Sequence, residues 1–449
     1  MRGTMIKKKL RSLTVRTLLS PGYRRFRQRL AEVRRRATFR KHSVQIFLQL
    51  DDPYSYLLSH YLQPVASGYK VELRLYLSQA LQGEFAPEPA MQAEYALRDC
   101  KLLAAELGIP FLDRGDVPVI EHRRALLGLL AEEQGQEDFA ESFHEALSCF
   151  WRGDTEGAAR LVGTLQTDPA ETNVLISSNQ LLLRKLGHYN SAMMLYAGEW
   201  YWGVDRLPHM CDRLDSLGAR KLPEPLGSIA SLKQAMRLSL PAAVPATGNA
   251  LPPLDFFFSF RSPYSYLALH RVFAIADAFG VRLRIKPVLP MIMRGMKLPR
   301  SKGLYILSDT SREAARHNIE FGKFADPAGD GAKRALAAFF YASSQGKERE
   351  YLLAAGGAIW ALGVDVGTDE GLRSVTEKAG LFWPDVAAAL ADSEWQMQAE
   401  ANREELMGLG IWGVPAYQFS GHAIWGQDRD WLLARLIEDQ CHDGDGILV

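Results

Sequence analysis

The length, composition and cysteine usage of the chain exclude several classes of protein. At 449 residues it is too long for one ordinary domain and suits two or three. A hydrophobic content of 47% with 23% charged residues is typical of globular proteins and excludes fibrous and disordered chains. The four cysteines lie far apart without a Cys-x-x-Cys pair, which argues against a disulfide framework and against a zinc site. We therefore expect no metal, a reducing compartment and a cytoplasmic location.

The first 41 residues are strongly basic. They contain fifteen Lys and Arg and one acid, Glu32, so they carry a charge of +14 and the remaining residues −13. They lack the apolar run of a secretory signal, and no later segment is apolar enough to predict a membrane span. One interpretation is that residues 1–41 contact an anionic surface, either lipid, at the periphery of a membrane, or nucleic acid. The other interpretations are a solvated, partly helical tail and an organelle transit peptide.

After this tail, the same order of predicted elements occurs twice. Strand patterns fall at 44–50, 69–77 and 192–203, and again at 254–260, 280–288 and 415–426. The first strand of each half is followed by Asp-Pro or Ser-Pro, which predicts a helix N-cap with proline at the first helical position. A long helical pattern separates the second strand from a late strand pair, and an amphipathic helix closes each half. The resulting β-helix-β units predict parallel strands.

An internal repeat relates the two halves. Six of eight positions are identical between Pro53–His60 and Pro263–His270, and the offset of 210 holds over about sixty residues. The later match of "WGVDR" at 202–206 with "WGQDR" at 425–429 has an offset of 223, which places thirteen extra residues in the helical middle of the second half. A duplication is the economical explanation.

The second half resembles the DsbA-like thioredoxin superfamily, and in particular its glutathione-using branch of 2-hydroxychromene-2-carboxylate isomerases and kappa-class glutathione transferases. Three motifs carry the resemblance: "FFFSFRSPYSYLA" (256–268), "PRSKGLYILSDTSREA" (299–314) and "GIWGVPAYQFSGHAIWGQDR" (410–429). With the repeat, the resemblance implies an α/β fold of two tandem thioredoxin-like (DsbA-type) domains, each with a large helical insertion. The predicted divisions are a basic tail (1–42), a degenerate domain (43–220), a proline-rich linker (221–252) and a domain with the active site (253–445).

The residues at the tip of the second predicted helix exclude dithiol redox chemistry. Thiol oxidoreductases of this fold carry Cys-x-x-Cys there, where the helix dipole lowers the pKa of the first cysteine. Here the four positions are Ser262-Pro263-Tyr264-Ser265. The resemblance implies that glutathione supplies the thiol and that Ser262 donates a hydrogen bond to its thiolate instead of attacking the substrate. The alternative role of Ser262 is a plain N-cap.

The resemblance also implies further contacts with glutathione, and no metal. Val414-Pro415 corresponds to the cis-proline loop, in which the residue before proline offers backbone groups to the cysteinyl part of glutathione. Gln427 and Asp428 occupy the place of the γ-glutamyl end, where a carboxylate suits the ammonium group, although Asp428 could also cap a helix. Lys302 matches a lysine that pairs with a glutathione carboxylate, and its alternative is an ordinary surface lysine. The methionine-rich loop 290–298 indicates an altered acceptor pocket.

The first half departs from this pattern at each of the corresponding positions. Ser262, Lys302, Arg312 and Pro415 are replaced by Asp52, Gln92, Leu102 and Ala192. A carboxylate at the helix tip would repel a thiolate while capping the helix well. We therefore predict one catalytic and one structural half, which would form a pseudo-dimer within one chain.

Two functions follow from these predictions. The first is a glutathione-dependent isomerase or transferase that acts on a small conjugated or aromatic electrophile, similar to 2-hydroxychromene-2-carboxylate isomerase. The alternative is a non-catalytic thioredoxin-fold binding or scaffold protein that is tethered by its basic tail.

Overall fold

The structure, a computed structural model, describes residues 20–111, 123–136, 138–223, 226–245 and 250–443. Residues 1–19 of the basic tail lie outside this range, so the anionic-surface prediction can be followed only from residue 20 onward. The chain divides into two compact units. One consists of Phe26–Arg237 with Pro299–Tyr305, and the other contains Leu238–Leu298 and the residues from Ile306 onward.

The first half of the chain begins with helix α1 (Pro21–Ala37). Its β-helix-β unit consists of β1 (His42–Leu48), α2 (Pro53–Ser59), α3 (Leu62–Gly68) and β2 (Val71–Leu77). The helical region contains α4 (Pro89–Leu107), α5 (Arg123–Glu133), α6 (Phe139–Arg152), α7 (Thr155–Val162) and α8 (Pro169–Lys185). The half closes with the hairpin β3 (Met193–Tyr196) and β4 (Glu199–Trp202) and helix α9 (Gly203–Ser216).

The predicted linker contains a helix, α10 (Gly227–Ala235), which the abundance of proline there did not suggest. Ile229 and Leu232 of this helix are buried, so burial of two apolar side chains stabilises a helix between the flanking prolines.

The second half has the same order of elements. Its β-helix-β unit consists of β5 (Leu254–Phe258), α11 (Pro263–Phe279) and β6 (Leu283–Pro287). The helical region contains α12 (Arg300–Arg316), α13 (Asp330–Ser344), α14 (Glu348–Gly357), α15 (Asp369–Lys378), α16 (Trp383–Ala389) and α17 (Glu394–Gly408). The half closes with the hairpin β7 (Ala416–Phe419) and β8 (His422–Trp425) and helix α18 (Asp430–Asp443).

The strands of the described residues form two four-stranded sheets, in the orders β2-β1-β3-β4 and β6-β5-β7-β8. In each sheet the first strand of the half pairs parallel with the second and antiparallel with the third. The parallel pair is the predicted β-helix-β unit, and the mixed sheets with packed helices confirm the α/β class. All residues of β5 are buried, and so are Leu267 and Val272 of α11, which fixes the start of α11 at the end of the strand.

Three side-chain hydrogen bonds recur at matching positions of the two halves. The tyrosine after each helix-tip proline bonds a buried carboxylate: Tyr54 to Asp99 and Tyr264 to Asp309, both at 2.8 Å. A buried tryptophan indole bonds the carbonyl just after the first strand: Trp151 to Leu50 at 3.0 Å and Trp360 to Phe260 at 3.1 Å. An asparagine amide bonds the end of the second strand: Asn179 to Leu77 at 2.9 Å and Asn402 to Pro287 at 3.0 Å.

Candidate active site

Ser262 lies at the N-terminus of α11, where the chain leaves the buried strand β5. It is the N-cap residue, with Pro263 in the first turn, as the sequence predicted. Its Oγ accepts a hydrogen bond from the backbone N–H of Ser265 at 3.1 Å. Ser262 is half-buried, and the first turn of the helix holds its hydroxyl in place. A helix N-terminus is a favourable environment for an anion.

The loop before β7 faces this helix tip. The Val414–Pro415 peptide bond is cis, and the hydroxyl of Ser262 donates a hydrogen bond to the carbonyl oxygen of Val414 at 3.2 Å. Val414 is half-buried and Pro415 is buried. The structure thus brings Ser262, Val414 and Pro415 together, as the comparison of their motifs predicted.

A buried polar cluster packs against the first turn of α11. The hydroxyl of Tyr264 donates to Asp309 Oδ2 at 2.8 Å, and Asp309 also forms an ion pair with Arg312. Asp309 is almost completely buried. A buried carboxylate with both a tyrosine and an arginine as partners fixes the tyrosine beside Ser262 in one orientation.

Gln427 and Asp428 lie in a short 3-10 turn (Gln427–Arg429) between β8 and α18. The side chain of Gln427 is in the interior, only 2% of its surface being exposed. Its amide oxygen and its backbone carbonyl both accept hydrogen bonds from Arg271, and its Nε2 donates to Glu313 at 3.3 Å. Arg271 also forms an ion pair with Asp430. The amide of Gln427 is therefore already bonded within the protein.

Asp428 differs from Gln427 because its side chain is half-buried and open to solvent on one side. Its Oδ1 lies 3.8 Å from Nη1 of Arg429. The carboxylate of Asp428 folds back over Gly426. Glycine is required at position 426 because its φ is +118° and because a Cβ there would lie 2.6 Å from Asp428 Oδ1.

Lys302 lies in the first turn of α12, in the stretch Pro299–Tyr305 that belongs to the same compact unit as the first half. Its Nζ donates to the carbonyl oxygen of Phe85 at 3.5 Å. Burial lowers the pKa of Lys302. Ser262, Val414, Pro415, Gln427 and Asp428 all belong to the other unit.

Sequence reasoning missed the residues that hold the cis-proline loop from its other side. Trp412 is buried and makes an edge contact with Trp425, with 4.4 Å between the ring centroids. The Trp425 ring fills the space beside Gly413, where a Cβ would approach it to 2.4 Å. Nη2 of Arg294 donates to the carbonyl oxygen of Trp412 at 3.1 Å. The methionine-rich loop therefore contributes a cation next to the cis-proline loop.

At the corresponding helix tip of the first half, a carboxylate satisfies the backbone donors. Asp52 accepts from the N–H groups of Tyr54 and Ser55 at 3.3 and 3.1 Å, and from the Ser55 hydroxyl at 2.6 Å. The predicted capping role of Asp52 is thus confirmed. Burial raises the pKa of this carboxyl group, which opposes the negative charge that we expected at this tip. The Asp52 tip thus differs from the Ser262 tip in having a carboxylate, which bonds two N–H groups, where the other has a hydroxyl.

The described residues contain neither a metal-binding group of three or more His, Cys, Asp or Glu side chains nor a helix long and apolar enough to cross a membrane. Three of the four free cysteines are buried, and Cys149 is half-buried on α6. None of the four is at a helix tip next to a cis-proline loop.

Comparison with known families agrees with this geometry. Residues 253–438 match the DSBA-like thioredoxin domain. The DSBA-like domain covers the second half, from β5 into α18, and includes Ser262 and the cis-proline loop.

Curated relatives of this chain are named 2-hydroxychromene-2-carboxylate isomerase. The protein of Sphingobium xenophagum is 26% identical over 194 residues, which are 41% of this chain and 98% of the relative. The protein of Pseudomonas putida is 25% identical over 200 residues, 42% of this chain and 95% of the relative. A solved 2-hydroxychromene-2-carboxylate isomerase is 23% identical, with 43% of this chain and 98% of the other covered and a TM-score of 0.39. About two fifths of this chain is thus similar in sequence to nearly the whole length of these isomerases.

Proposed function

We propose that the protein is a glutathione-dependent isomerase or transferase that acts on a small conjugated or aromatic electrophile. The observation that carries the proposal is the hydroxyl of Ser262, which sits at a helix N-terminus and bonds the carbonyl of the cis-proline loop at 3.2 Å. A serine at the place of a redox cysteine leaves the site without its own thiol. The names of the curated relatives support an isomerase reaction.

Glutathione would supply the sulfur nucleophile, which adds to a conjugated carbon of the substrate and, in an isomerisation, leaves again after rotation about the former double bond. The residues around Ser262 suit a thiolate. The hydroxyl can turn from Val414 to donate to sulfur while its oxygen still accepts from the Ser265 N–H. The N-terminus of α11, a helix of 17 residues, adds the positive end of its dipole.

The remaining predicted contacts with glutathione are unequally supported. Val414 and Asp428 are half-buried residues, and we assign to them the contacts with the cysteinyl part and with the γ-glutamyl ammonium. The side chain of Gln427 is bonded within the protein, so we assign to it the positioning of the 3-10 turn that carries Asp428. The contact of Lys302 with a glutathione carboxylate stays a prediction.

The acceptor would bind beside the cis-proline loop, next to the methionine-rich loop 290–298. Arg294 and the Trp412–Trp425 pair offer a cation and aromatic surface at this loop. They suit a planar substrate with an anionic group. We also propose a cytoplasmic location, where reduced glutathione is available.

We further propose that the chain is a tandem duplication of the DsbA-like domain. Its support is the shared strand order and the three pairs of matching hydrogen bonds, which involve tyrosine, tryptophan and asparagine side chains separated by 209 to 223 residues. The first half keeps these structural bonds but has Asp52 at its helix tip. It would serve as a structural half, a pseudo-dimer partner within one chain.

Calorimetric titration of the protein with glutathione and with S-methylglutathione tests this function. We expect glutathione to bind more tightly at a pH where its bound thiol is ionised, because the methyl thioether cannot carry the negative charge that the helix tip favours. Absence of glutathione binding would contradict the proposal and favour the non-catalytic scaffold.

A further inference from the structure

Helix α1 (Pro21–Ala37) packs against the first half through one of its faces. Gln28 donates to both carboxylate oxygens of Glu199, at 3.2 and 3.0 Å, on the hairpin of β3 and β4. Seven residues further along, and on the same face, Arg35 forms an ion pair with Glu32 at 2.7 Å. Glu32 is the only acid among residues 20–41, and hydrogen bonds from Arg35 and Arg36, opposed by burial, lower its pKa to about 2. The only negative charge of the helix is thus neutralised on its inner side.

The opposite face carries an apolar strip that is exposed. Leu30 and Val33 have 56% and 63% of their surface exposed, and Phe39, just after the helix, has 95%. Phe26, one turn before Leu30, is 59% exposed. Spacings of three and four residues place Phe26, Leu30 and Val33 in one line along the helix. We call these four side chains the α1 strip.

Cations flank the α1 strip on both sides. At 100° per residue, Arg29 and Arg36 fall on one side of the strip and Arg34 on the other. These three arginines are exposed, and so are Arg40 and Lys41 after the helix. The outer face of this segment therefore combines an apolar centre with a cationic border.

We propose that the outer face of α1 binds an anionic lipid surface, with the helix lying parallel to the membrane. An apolar strip between arginines matches the boundary between acyl chains and anionic headgroups, because the strip leaves water while the guanidinium groups reach the phosphates. The same arginines could contact a nucleic acid, but Leu30 and Val33 would gain nothing from phosphates. The occupant that uses both parts of the face is a membrane.

Sedimentation of the full chain with phosphatidylcholine vesicles, with and without phosphatidylserine, tests this proposal. We expect binding only to the anionic vesicles. The combined variant Leu30→Gln and Val33→Gln keeps every charge and should bind at least about tenfold more weakly. Arg29→Gln with Arg34→Gln should lose about fivefold per charge and make binding less sensitive to salt.

The chain provides a matched control on another helix. Val174 and Leu181 of α8 are both 66% exposed, seven residues apart. Their change to Gln removes the same apolar area and should leave vesicle binding unchanged. The proposal is overturned if the wild type ignores anionic vesicles, or if the Leu30 and Val33 variant binds them like the wild type. It is also overturned if the wild type binds duplex DNA as tightly as the vesicles and the Leu30→Gln, Val33→Gln variant keeps its affinity for both.

Discussion

The hydroxyl of Ser262 and the carbonyl oxygen of Val414 are 3.2 Å apart, although 152 residues separate them in the chain. This contact joins the N-terminus of α11 to the cis-proline loop before β7. It places a hydrogen-bond donor and the N-terminus of a helix next to the backbone of the cis-proline loop. The hydroxyl and the helix dipole would each stabilise a thiolate that arrives from outside the protein.

Introducing the cap residue of α2 at the N-terminus of α11 separates helix capping from the proposed glutathione binding. Ser262→Asp copies Asp52 and should keep the cap, so that the free energy of unfolding stays within about 1 kcal/mol of the wild type. Glutathione binding should be lost, because an ionised carboxylate has no hydrogen to donate to the sulfur and repels the thiolate. Asp52→Ser is the matched control and should leave glutathione binding unchanged. Retained binding by Ser262→Asp, measured by calorimetry, would contradict the assigned role.

Asp428 is expected to hold the ammonium group of the γ-glutamyl end. Asp428→Asn should weaken glutathione binding about tenfold or more, since a hydrogen bond between charged groups contributes about 1.5–3 kcal/mol. N-acetylglutathione lacks this ammonium group, so its affinity should be nearly the same for both proteins. An equal loss of affinity for both ligands would assign Asp428 a structural role.

The paired tyrosines offer a test of the duplication. Tyr264→Phe and Tyr54→Phe each remove a hydroxyl that donates to a buried carboxylate at 2.8 Å. Each change should lower the free energy of unfolding by about 1–3 kcal/mol in denaturant titrations. If only one of the two variants is destabilised, the Tyr54–Asp99 and Tyr264–Asp309 bonds are not equivalent, and they do not support the duplication.

His60 predicts a loss of stability at mildly acidic pH. Burial, then the charges of His144 and Arg152, lower its pKa to about 4. The His60 and His144 rings are 4.5 Å apart, and burial also lowers the pKa of His144. The folded state thus favours neutral His60, while the unfolded chain takes up its proton near pH 6.5. The contribution is complete above pH 6.5 and is lost as the pH falls from 6.5 to about 4.

His60→Gln should therefore flatten the pH dependence of the unfolding free energy by about 1–2 kcal/mol over this range, a value reduced for the partial exposure of the ring. His422→Gln, at an exposed histidine, is the control for the loss of one imidazole from the chain. If the unfolding free energies of His60→Gln and the wild type changed with pH in parallel, His60 would not be the source of this pH dependence.

Local patterns predicted much of the fold. Apolar runs gave the positions of β1 and β5, and Ser262-Pro263 gave the N-terminus of α11, because strand and cap signals depend on neighbouring residues. The buried network of Arg271, Gln427 and Asp430 could not be predicted in this way. Arg271 lies more than 150 residues from Gln427 and Asp430, and a charged residue in a sequence predicts exposure until its partner is known.

The same limit explains the site residues that sequence reasoning missed. Arg294 stands in a methionine-rich loop that predicted only an apolar pocket, and its contact with Trp412 depends on how the loop folds back. Lys302 is assigned by its motif alone, whereas its position beside Phe85 follows from the packing of the first turn of α12. The helix Gly227–Ala235 forms in the predicted linker because Ile229 and Leu232 find a buried environment.

The ionisation of bound glutathione tests the central claim most directly. The thiol pKa can be measured from the ultraviolet absorbance of the thiolate during pH titration of the complex, for the wild type and for Ser262→Ala. The wild type should lower the thiol pKa below its ordinary value near 8.5, and Ser262→Ala should raise it again by about 1–2 units, the equivalent of one charge-assisted hydrogen bond. An identical thiol pKa in both complexes would contradict the proposed role of Ser262.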